Sequence, residues 1–569
     1  KENEKSWCFK GWETLVNNSS SMLFKKFMTA IFAISALAGQ AQEKQFDIIP
    51  EPVEITAAGE GTVLIERDML VRVSDSSLIA SADFLAGYTN RYLGIPLQVD
   101  VPKKGKKRTA ANAVNSIVLV NRNNGEISGG YRLEVIPGTG IRIEGNDAAG
   151  VFYGVQTLIQ MLPARAGVLP VLAAVKVVDY PRFAYRGMHL DVVRHFFPVE
   201  FIKKYIDYLA LHKLNYFHWH LTDDQAWRVE MKCRPELTAK GSVREGEIEG
   251  LYPGKYRPLP YGGYYTHEDV REIVQYAAER YITVIPEIDI PGHCMAVLAT
   301  YPQFSTTPDE PKKCALTWGI FNKFNNVLAP KPEVFDFLKD VFSELCDLFP
   351  GQYIHVGGDE CAKRWWQESE ETQQFMRDHG LADEKALQSY FIHYVQGVVN
   401  AKGKTLVGWD EILEGGISED CIVMNWRRPD YGVKALKTGH RTIFACSSWS
   451  YFNTKESRTQ SEIGPKGPLS LEKVYEYRIV PDSLTARQTE LIWGAQGCLW
   501  TEYIPTTWKA EFSLFPRMAA LAENVWSPAE KKSWDNFSRK VETQCERYEL
   551  WGACYSDAFF RLQDIVRKR

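Results

Sequence analysis

Tyr353-Ile-His-Val-Gly-Gly-Asp-Glu360 is a short run of β-branched and aromatic residues that breaks at two glycines and ends in two adjacent carboxylates. A buried strand that delivers polar residues at its end is typical of the active-site face of a (β/α)8 barrel. The carboxyls of Asp359 and Glu360 should not both ionise at ordinary cost, so we expect their pKa values to separate. Such a pair fits acid/base chemistry on a glycosidic bond, and two solvated acids at a strand end are the alternative. The glycines indicate a backbone that another group approaches closely.

The alternation of strand and helix extends on both sides of this stretch. Strand patterns fall at 185–190, 216–221, 282–287, 353–356, 405–409, 421–426, 442–445 and 491–499, and the last helical pattern spans 511–525. Eight strands that alternate with helices predict an α/β fold in which residues 181–545 form a catalytic (β/α)8 TIM barrel. Polar residues cluster just after the strands, on the face where such barrels carry their chemistry.

Other regions of the chain carry different patterns. Residues 45–180 combine short alternating strands at 70–73, 116–120, 131–135 and 140–145 with helical stretches at 77–93 and 148–161, which predicts a small α+β domain before the barrel. Residues 546–569 are taken as a C-terminal extension. Met22, Lys25 and Lys26 precede an apolar run and a small-residue site, which predicts a signal peptide at 22–38 and export to a periplasm or the exterior. Residues 1–21 are then an upstream, non-native segment, and full-length protein in the cytosol would contradict this interpretation.

The composition excludes several classes of partner. A net charge of -4 over 569 residues, without a long Lys/Arg block, gives no electrostatic footprint for nucleic acid. Beyond the signal, no apolar stretch is long enough for stable membrane insertion. The 11 cysteines contain no C-x-x-C pair, so a zinc knuckle is not supported. The sequence indicates no oligomeric state. The 16 Trp and 27 Tyr suit sugar binding, although most aromatic residues belong to cores.

The ends of the first three barrel strands present polar side chains. Asp191 and Arg194 follow the first strand, where a salt bridge or a fork for sugar hydroxyls is possible. Period-two spacing places His218 and His220 on one face of the second strand, ahead of Asp223. These three residues, with Asp224 and His293 elsewhere, could bind a divalent metal for hydrolysis, or form a hydrogen-bonded core network. Asp289 and His293 follow the third strand, either as functional groups or as parts of a rigid turn.

Aromatic residues follow the later strands. They are Trp409, Trp426, Tyr451 and Trp500, and the last is close to Glu502. A single tryptophan at such a position is more often part of the core. Three of them with a tyrosine hydroxyl and a carboxylate could grip an apolar methyl group and a sugar ring while polar atoms bind hydroxyls.

Four motifs in order resemble the family 20 glycoside hydrolases, the β-N-acetylhexosaminidases. They are Tyr185-Arg-Gly-Met-His-Leu-Asp-Val-Val-Arg-His-Phe196, His218-Trp-His-Leu-Thr-Asp-Asp-Gln225, Glu287-Ile-Asp-Ile-Pro-Gly-His293 and His355-Val-Gly-Gly-Asp-Glu360. The resemblance covers about residues 45–545. It implies an exo-acting retaining enzyme that releases terminal N-acetylglucosamine or N-acetylgalactosamine through an oxazolinium intermediate formed by the substrate's own acetamido group.

The resemblance also implies residue roles. Glu360 matches the general acid/base and Asp359 the carboxylate that orients the acetamido group. The implied substrate-binding residues are Arg194, Asp191, Asp223, His293, Asp289, Trp409, Trp426, Tyr451, Asn453, Trp500 and Glu502. Asp223 and His293 match a relay to Glu360, so no metal and no cofactor are expected, and the partner is a glycan. Asn453 departs from the aspartate of many relatives and leaves the preference between glucosamine and galactosamine open.

Two other functions remain possible from the residues alone. A metal-dependent barrel hydrolase would use His218, His220 and Asp223, and its activity would disappear with a chelator and return with zinc. A sugar-binding protein could keep the pocket and lose turnover, although the intact acidic pair argues against it.

Overall fold

The computed structural model describes residues 46–102, 115–458, 463–465 and 467–561. The predicted upstream segment and signal peptide lie outside these residues. Within the described part of the chain, no helix combines the length and apolar character needed to cross a membrane.

The N-terminal region is one mixed seven-stranded sheet with helices packed on it. In spatial order its strands are Glu54–Leu64, Val171–Asp179, Tyr131–Ile136, Gly140–Gly145, Ser116–Asn121, Leu70–Val73 and Gln98–Asp100. Its helices are Ile79–Tyr88 and Ala148–Met161, with short turns of helix at Ser76–Leu78 and Thr89–Leu93. Asp147 caps the second helix by accepting a hydrogen bond from the Gly150 amide at 2.7 Å. The predicted α+β layer is therefore present, with three further strands that the sequence patterns did not indicate.

The rest of the fold is a closed barrel of eight parallel strands. They are Tyr185–Asp191, Tyr216–His220, Thr283–Glu287, Tyr353–His355, Thr405–Trp409, Ile422–Asn425, Thr442–Phe444 and Ile492–Leu499, and the eighth pairs with the first. We refer to them as the first to eighth barrel strands. Each lies within one residue of its predicted bounds. The predicted TIM barrel is confirmed.

Helices and small hairpins surround the barrel. The helices are Val199–Leu211, Glu236–Ala239, His267–Ala278, Met295–Thr300, Pro332–Leu348, Arg364–Gln367, Glu370–Asp378, Glu384–Ala401, Pro429–Lys437, Ser447–Ser450, Leu471–Tyr475, Ala486–Glu490, Thr507–Leu514, Arg517–Trp526 and Trp534–Leu550. Short 3-10 helices lie at Pro302–Phe304, Asp410–Gly415 and Ala529–Lys531. The hairpin strands pair as Thr222–Asp223 with Ala226–Trp227, Val243–Arg244 with Tyr261–Gly262, and Glu247–Glu249 with Lys255–Arg257. The predicted helix 511–525 is wrong as one element, because Pro516 lacks an amide donor and separates two helices.

The barrel interior is apolar along the strands and polar at their carboxyl ends. Tyr185, Ile285, Val407, Ile422 and Ile443 are buried together inside the ring of strands. Above this layer the strands end in histidines, carboxylates and tryptophans. The packed lower layer holds the strand ends rigidly, and this rigidity positions the site.

A buried polar cluster attaches the N-terminal sheet to the barrel. The Asp179 carboxylate accepts hydrogen bonds from Tyr131 at 2.6 Å, from Lys213 at 2.9 Å and from the Trp526 indole at 3.0 Å. Lys213 and Asp179 are fully buried, so their charges compensate each other where water does not reach. The two regions are thereby fixed to each other.

Candidate active site

The turn after the fourth barrel strand has a backbone that only glycine accommodates. Gly357 and Gly358 have φ angles of 67° and 93°. A Cβ atom on Gly357 would lie 1.9 Å from Asp289 Oδ1, and the Gly358 amide donates to that same oxygen at 3.0 Å. The close approach indicated by the glycines is therefore made by Asp289. Glu360 itself has φ of 43°, a strained conformation that places its side chain at the barrel mouth.

His293 connects the acidic pair to a second pair of carboxylates. Its Nε2 atom lies 3.5 Å from Glu360 Oε2 and 3.9 Å from Asp359 Oδ2. Its Nδ1 atom lies 3.0 Å from Asp223 Oδ1 and 3.0 Å from Asp224 Oδ2. The structure thus brings Asp223, His293 and Glu360 together as the predicted relay, with Asp224 as an additional acceptor.

Electrostatic interactions separate the pKa values of the acidic pair. Burial raises the pKa of Asp359 to about 6, although the nearby His293 acts against it. The hydrogen-bonding interaction with His293 has the largest effect on Glu360 and lowers its pKa, against the effect of burial. Burial alone would lower the pKa of His293, but Asp223 and Asp224 raise it well above its usual value. The side chain of Glu360 is 44% exposed, and a sugar bound over it would displace water and raise its pKa.

Arg194 is held by three groups at the end of the first barrel strand. Its guanidinium contacts Asp223 at 2.6 Å and Asp191 at 3.3 Å, and its Nε donates to Gln225 at 3.0 Å. Glu502 is near enough for its charge to interact with Arg194, and its Oε2 atom is buried without a hydrogen-bond partner among the described residues. An unpaired buried carboxylate oxygen is costly, so it marks a place where a ligand donor or a water should bind.

Four aromatic side chains form a continuous wall. Trp409 lies 5.9 Å from Trp500, Trp500 lies 6.1 Å from Tyr451, and Tyr451 stacks on Trp426 at 6.2 Å between ring centroids. We call these four residues the aromatic wall. Their flat faces can enclose an apolar group such as a methyl.

Polar atoms stand beside the aromatic wall. Asp359 Oδ1 is buried and, like Asn453 Oδ1, lacks a hydrogen-bond partner in the described part of the chain. The Asp359 carboxylate is one of the charges that raise the pKa of Tyr451, after burial, which places the two groups in one environment. An apolar wall next to free acceptors fits a ligand that carries both a methyl group and an N–H or O–H donor.

Comparison with known proteins agrees with this geometry. The family model for the glycosyl hydrolase family 20 catalytic domain matches residues 183–529. The model for domain 2 of the same family matches residues 45–180. The chain belongs to glycosyl hydrolase family 20. It is accordingly a glycosidase of the β-N-acetylhexosaminidase type.

Individual relatives support the assignment. A β-hexosaminidase of Porphyromonas gingivalis is 39% identical over 540 residues, which are 93% of this chain and 67% of the relative. The crystal structure of a family 20 exo-β-N-acetylglucosaminidase from Vibrio harveyi with N-acetylglucosamine has a TM-score of 0.79 at 30% identity, and covers 90% of this chain and 78% of its own. The structure of a β-N-acetylhexosaminidase from Streptomyces coelicolor has a TM-score of 0.76 at 30% identity, and the match covers 90% of this chain and 98% of the relative.

The histidines that suggested a metal site are engaged otherwise in this family 20 chain. His220 Nδ1 lies 2.6 Å from Glu287 Oε2, and His220 Nε2 lies 3.1 Å from Asp223 Oδ2. Burial alone would lower the pKa of His220, but Glu287 and Asp223 raise it to about 10. Both ring nitrogens of His220 thus face a carboxylate of this network. The ligand set of His218, His220 and Asp223 is therefore a poor fit for a cation.

Several residues of the site are absent from the predicted catalytic and substrate-binding residues. Asp224 shares His293 with Asp223, and Gln225 fixes Arg194. Glu411 accepts from the Trp426 indole at 2.9 Å, and Glu287 accepts from the Trp409 indole at 2.8 Å. The Asp-Asp repeat in the second motif was a signal for Asp224. The partners of the tryptophans lie 122 and 15 residues away, so no local pattern indicates them.

The shifted pKa of Asp359 predicts an acidic limb in the rate profile. If the ionised carboxylate is the active form, kcat/KM on a 2,4-dinitrophenyl N-acetylglucosaminide, which needs no proton from Glu360, should fall about tenfold per pH unit below the free-enzyme pKa of about 6. Burial and the neighbouring Asp359 also raise the pKa of Asp289. The acidic limb therefore reports the coupled titration of Asp359 and Asp289. Steady-state rates between about pH 4 and about pH 8, each corrected for enzyme stability, would measure it. A flat profile below pH 5 would contradict the assignment.

Proposed function

We propose that this chain is an exo-acting retaining β-N-acetylhexosaminidase that hydrolyses terminal N-acetylglucosamine or N-acetylgalactosamine residues by substrate-assisted catalysis. The observation that carries the proposal is the acidic pair of Asp359 and Glu360 beside the aromatic wall. A hydrolase that uses its own carboxylate as nucleophile needs no enclosure for an acetyl methyl group. The wall supports a mechanism in which that acetyl group takes part.

In the first step the acetamido oxygen attacks the anomeric carbon while the glycosidic bond breaks. Glu360 donates its proton to the leaving oxygen, and Asp359 accepts the amide N–H and stabilises the positive charge of the oxazolinium ion. In the second step Glu360 removes a proton from water, and that water opens the oxazolinium ring at the anomeric carbon. Two displacements at one carbon return the original configuration, and Glu360 ends protonated for the next turnover.

The remaining residues bind the sugar. We assign the acetyl methyl group to the aromatic wall, with the Tyr451 hydroxyl donating to the acetamido oxygen. Arg194 and Glu502 suit the outer hydroxyls, because one donates through a fork and the other has a free acceptor oxygen. The N-acetylglucosamine in the Vibrio harveyi relative supports a substrate of this class.

Paired aryl glycosides test the proposal directly. An aryl β-glycoside that carries the 2-acetamido group should be cleaved, and the matched aryl β-glucoside should be cleaved at least about 10³-fold more slowly, because it lacks the internal nucleophile. Repeating the assay with a chelator is the control for a metal-dependent mechanism. Equal rates on both glycosides would overturn the proposal, and so would a glycosyl ester trapped on a side chain. Sugar binding without cleavage would favour the sugar-binding alternative.

A further inference from the structure

A buried chain of hydrogen bonds continues beyond the relay to Glu360. Asp223 holds His293 through Oδ1 and His220 through Oδ2, at 3.0 Å and 3.1 Å. His220 in turn lies 2.6 Å from Glu287 Oε2. Glu287 is completely buried at the end of the third barrel strand. The catalytic pair at the barrel mouth is thus connected to a carboxylate deep in the barrel.

The same carboxylate holds one side of the aromatic wall. Its other oxygen, Oε1, accepts from the Trp409 indole at 2.8 Å and lies 3.1 Å from His355 Nδ1. His218 Nε2 lies 3.0 Å from Oε2. Glu287 therefore touches both functional parts of the site without reaching the pocket itself.

We propose that Glu287 and His220 are positioning residues, and that Glu287 fixes the acid/base relay and the acetamido-binding wall relative to each other. The inference rests on the proposed function, because it assigns one oxygen to each half of a substrate-assisted reaction. That reaction needs the leaving-group oxygen and the acetamido oxygen in register at the same instant. We call the hydrogen bonds from Glu287 to the relay and those from Glu287 to the aromatic wall its two arms. A single rigid carboxylate between these two arms provides that register.

The charges along the chain alternate, which stabilises this arrangement. Glu287, Asp223 and Glu360 are acids, and His220 and His293 are the bases between them. Although burial acts in the opposite direction, His220 and His355 lower the pKa of Glu287, and Arg194 and His293 lower the pKa of Asp223. Other charged or titratable groups among the described residues that face this chain are Asp191, Asp224, Asp289, Asp359, Glu502, His189, His218 and His355.

A purely structural role would not require this arrangement. Buried ion pairs are often replaceable by apolar side chains without loss of stability, so folding alone does not account for a carboxylate at Glu287. The two arms can also be separated experimentally. Through hydrogen bonds, His220 connects Glu287 to the relay and the Trp409 indole connects it to the wall. The His220 ring also packs edge-on against Trp500, at 5.0 Å between ring centroids.

Three variants and two substrates separate the arms. His220→Gln should lower kcat/KM about tenfold or more on an aryl N-acetylglucosaminide with a poor leaving group, and about twofold or less on the 2,4-dinitrophenyl compound. Its affinity for free N-acetylglucosamine, measured by tryptophan fluorescence, should change about twofold or less, because the His220 ring touches the wall only edge-on at Trp500 and glutamine fills part of its volume. Trp409→Phe should weaken that affinity and lower kcat/KM by the same factor on both substrates. Glu287→Gln should show both effects.

The matched control is Glu511→Gln, which removes a buried, hydrogen-bonded glutamate outside the site. It should leave the ratio of the rates on the two substrates, and the affinity for N-acetylglucosamine, as in the wild type. Equal losses on the two substrates in His220→Gln, or an unchanged leaving-group ratio in Glu287→Gln, would overturn the proposal. If Glu287→Gln does not fold, the contrast between His220→Gln and Trp409→Phe still decides. Failure of the proposed function would appear separately, as wild-type cleavage of substrates that lack the acetamido group.

Discussion

Replacing Glu360 by glutamine should lower kcat by about 10²- to 10⁴-fold on substrates with poor leaving groups, which is the usual contribution of a general acid. Glutamine keeps the volume and can still accept a hydrogen bond from His293, so the change removes the proton and leaves the geometry. The loss in kcat/KM should be much smaller with a 2,4-dinitrophenyl leaving group, because a stable phenolate departs without protonation. Turnover of that substrate is still slowed, since Glu360 is also the base of the second step. Rates on a series of aryl N-acetylglucosaminides measure this dependence.

Glu368→Gln is the matched control for this variant. Glu368 lies in the same connection after the fourth barrel strand, where it forms an exposed ion pair with Arg364 at 2.8 Å. An exposed pair contributes little, so the control should keep its activity. Azide should restore turnover of activated substrates in Glu360→Gln, because an anionic nucleophile needs no base. Near-normal rates of Glu360→Gln on poor leaving groups would reject the assignment of the acid.

The barrel was predictable because its strands obey a simple physical rule. Parallel strands covered by helices are buried on both faces, so they appear as short apolar runs with sharp polar ends. Tyr353–His355 has only three residues, yet the two glycines after it mark its end clearly. The acidic pair follows from the same rule, because the strand ends carry the chemistry.

Edge strands and inserted hairpins obey weaker rules. Glu54–Leu64 is mostly exposed, contains two glycines and shifts its register against Val171–Asp179 between Ala57 and Thr62. It therefore shows no regular alternation that a sequence pattern could detect. The hairpin of Glu247–Glu249 with Lys255–Arg257 is also largely exposed. Its pairing depends on local turns more than on burial.

Long-range polar partners were the least predictable feature of the site. Glu287 stands inside a quoted motif, but its connection to Trp409 spans 122 residues and arises only when the barrel closes. The order of the pKa values was also inaccessible. It depends on how far Glu360 projects into solvent and on how His293 is oriented, and neither property has a sequence signature.

Replacing Asp359 by asparagine should lower kcat by about 10²- to 10³-fold, and this loss should be similar for good and poor leaving groups. Asparagine retains a carbonyl that can accept the acetamido N–H, but it carries no charge to stabilise the oxazolinium ion. Formation of that ion precedes hydrolysis for every leaving group. The response to leaving-group quality therefore distinguishes Asp359→Asn from Glu360→Gln.

The same variant should also lose the acidic limb of kcat/KM near pH 6, because the group with the pKa of about 6 is removed. Asp289→Asn is the matched comparison. It replaces the adjacent carboxyl by an amide that resembles its protonated form, and should keep the limb near pH 6, since a protonated Asp289 acts on Asp359 as a hydrogen-bond partner and not as a like charge. An Asp359→Asn variant with wild-type rates, or with the limb unchanged, would show that this carboxylate only shapes the turn. The charge for the intermediate would then have to come from Glu411, whose own pKa is raised by burial and by Asp410, so that it is poorly suited to the task.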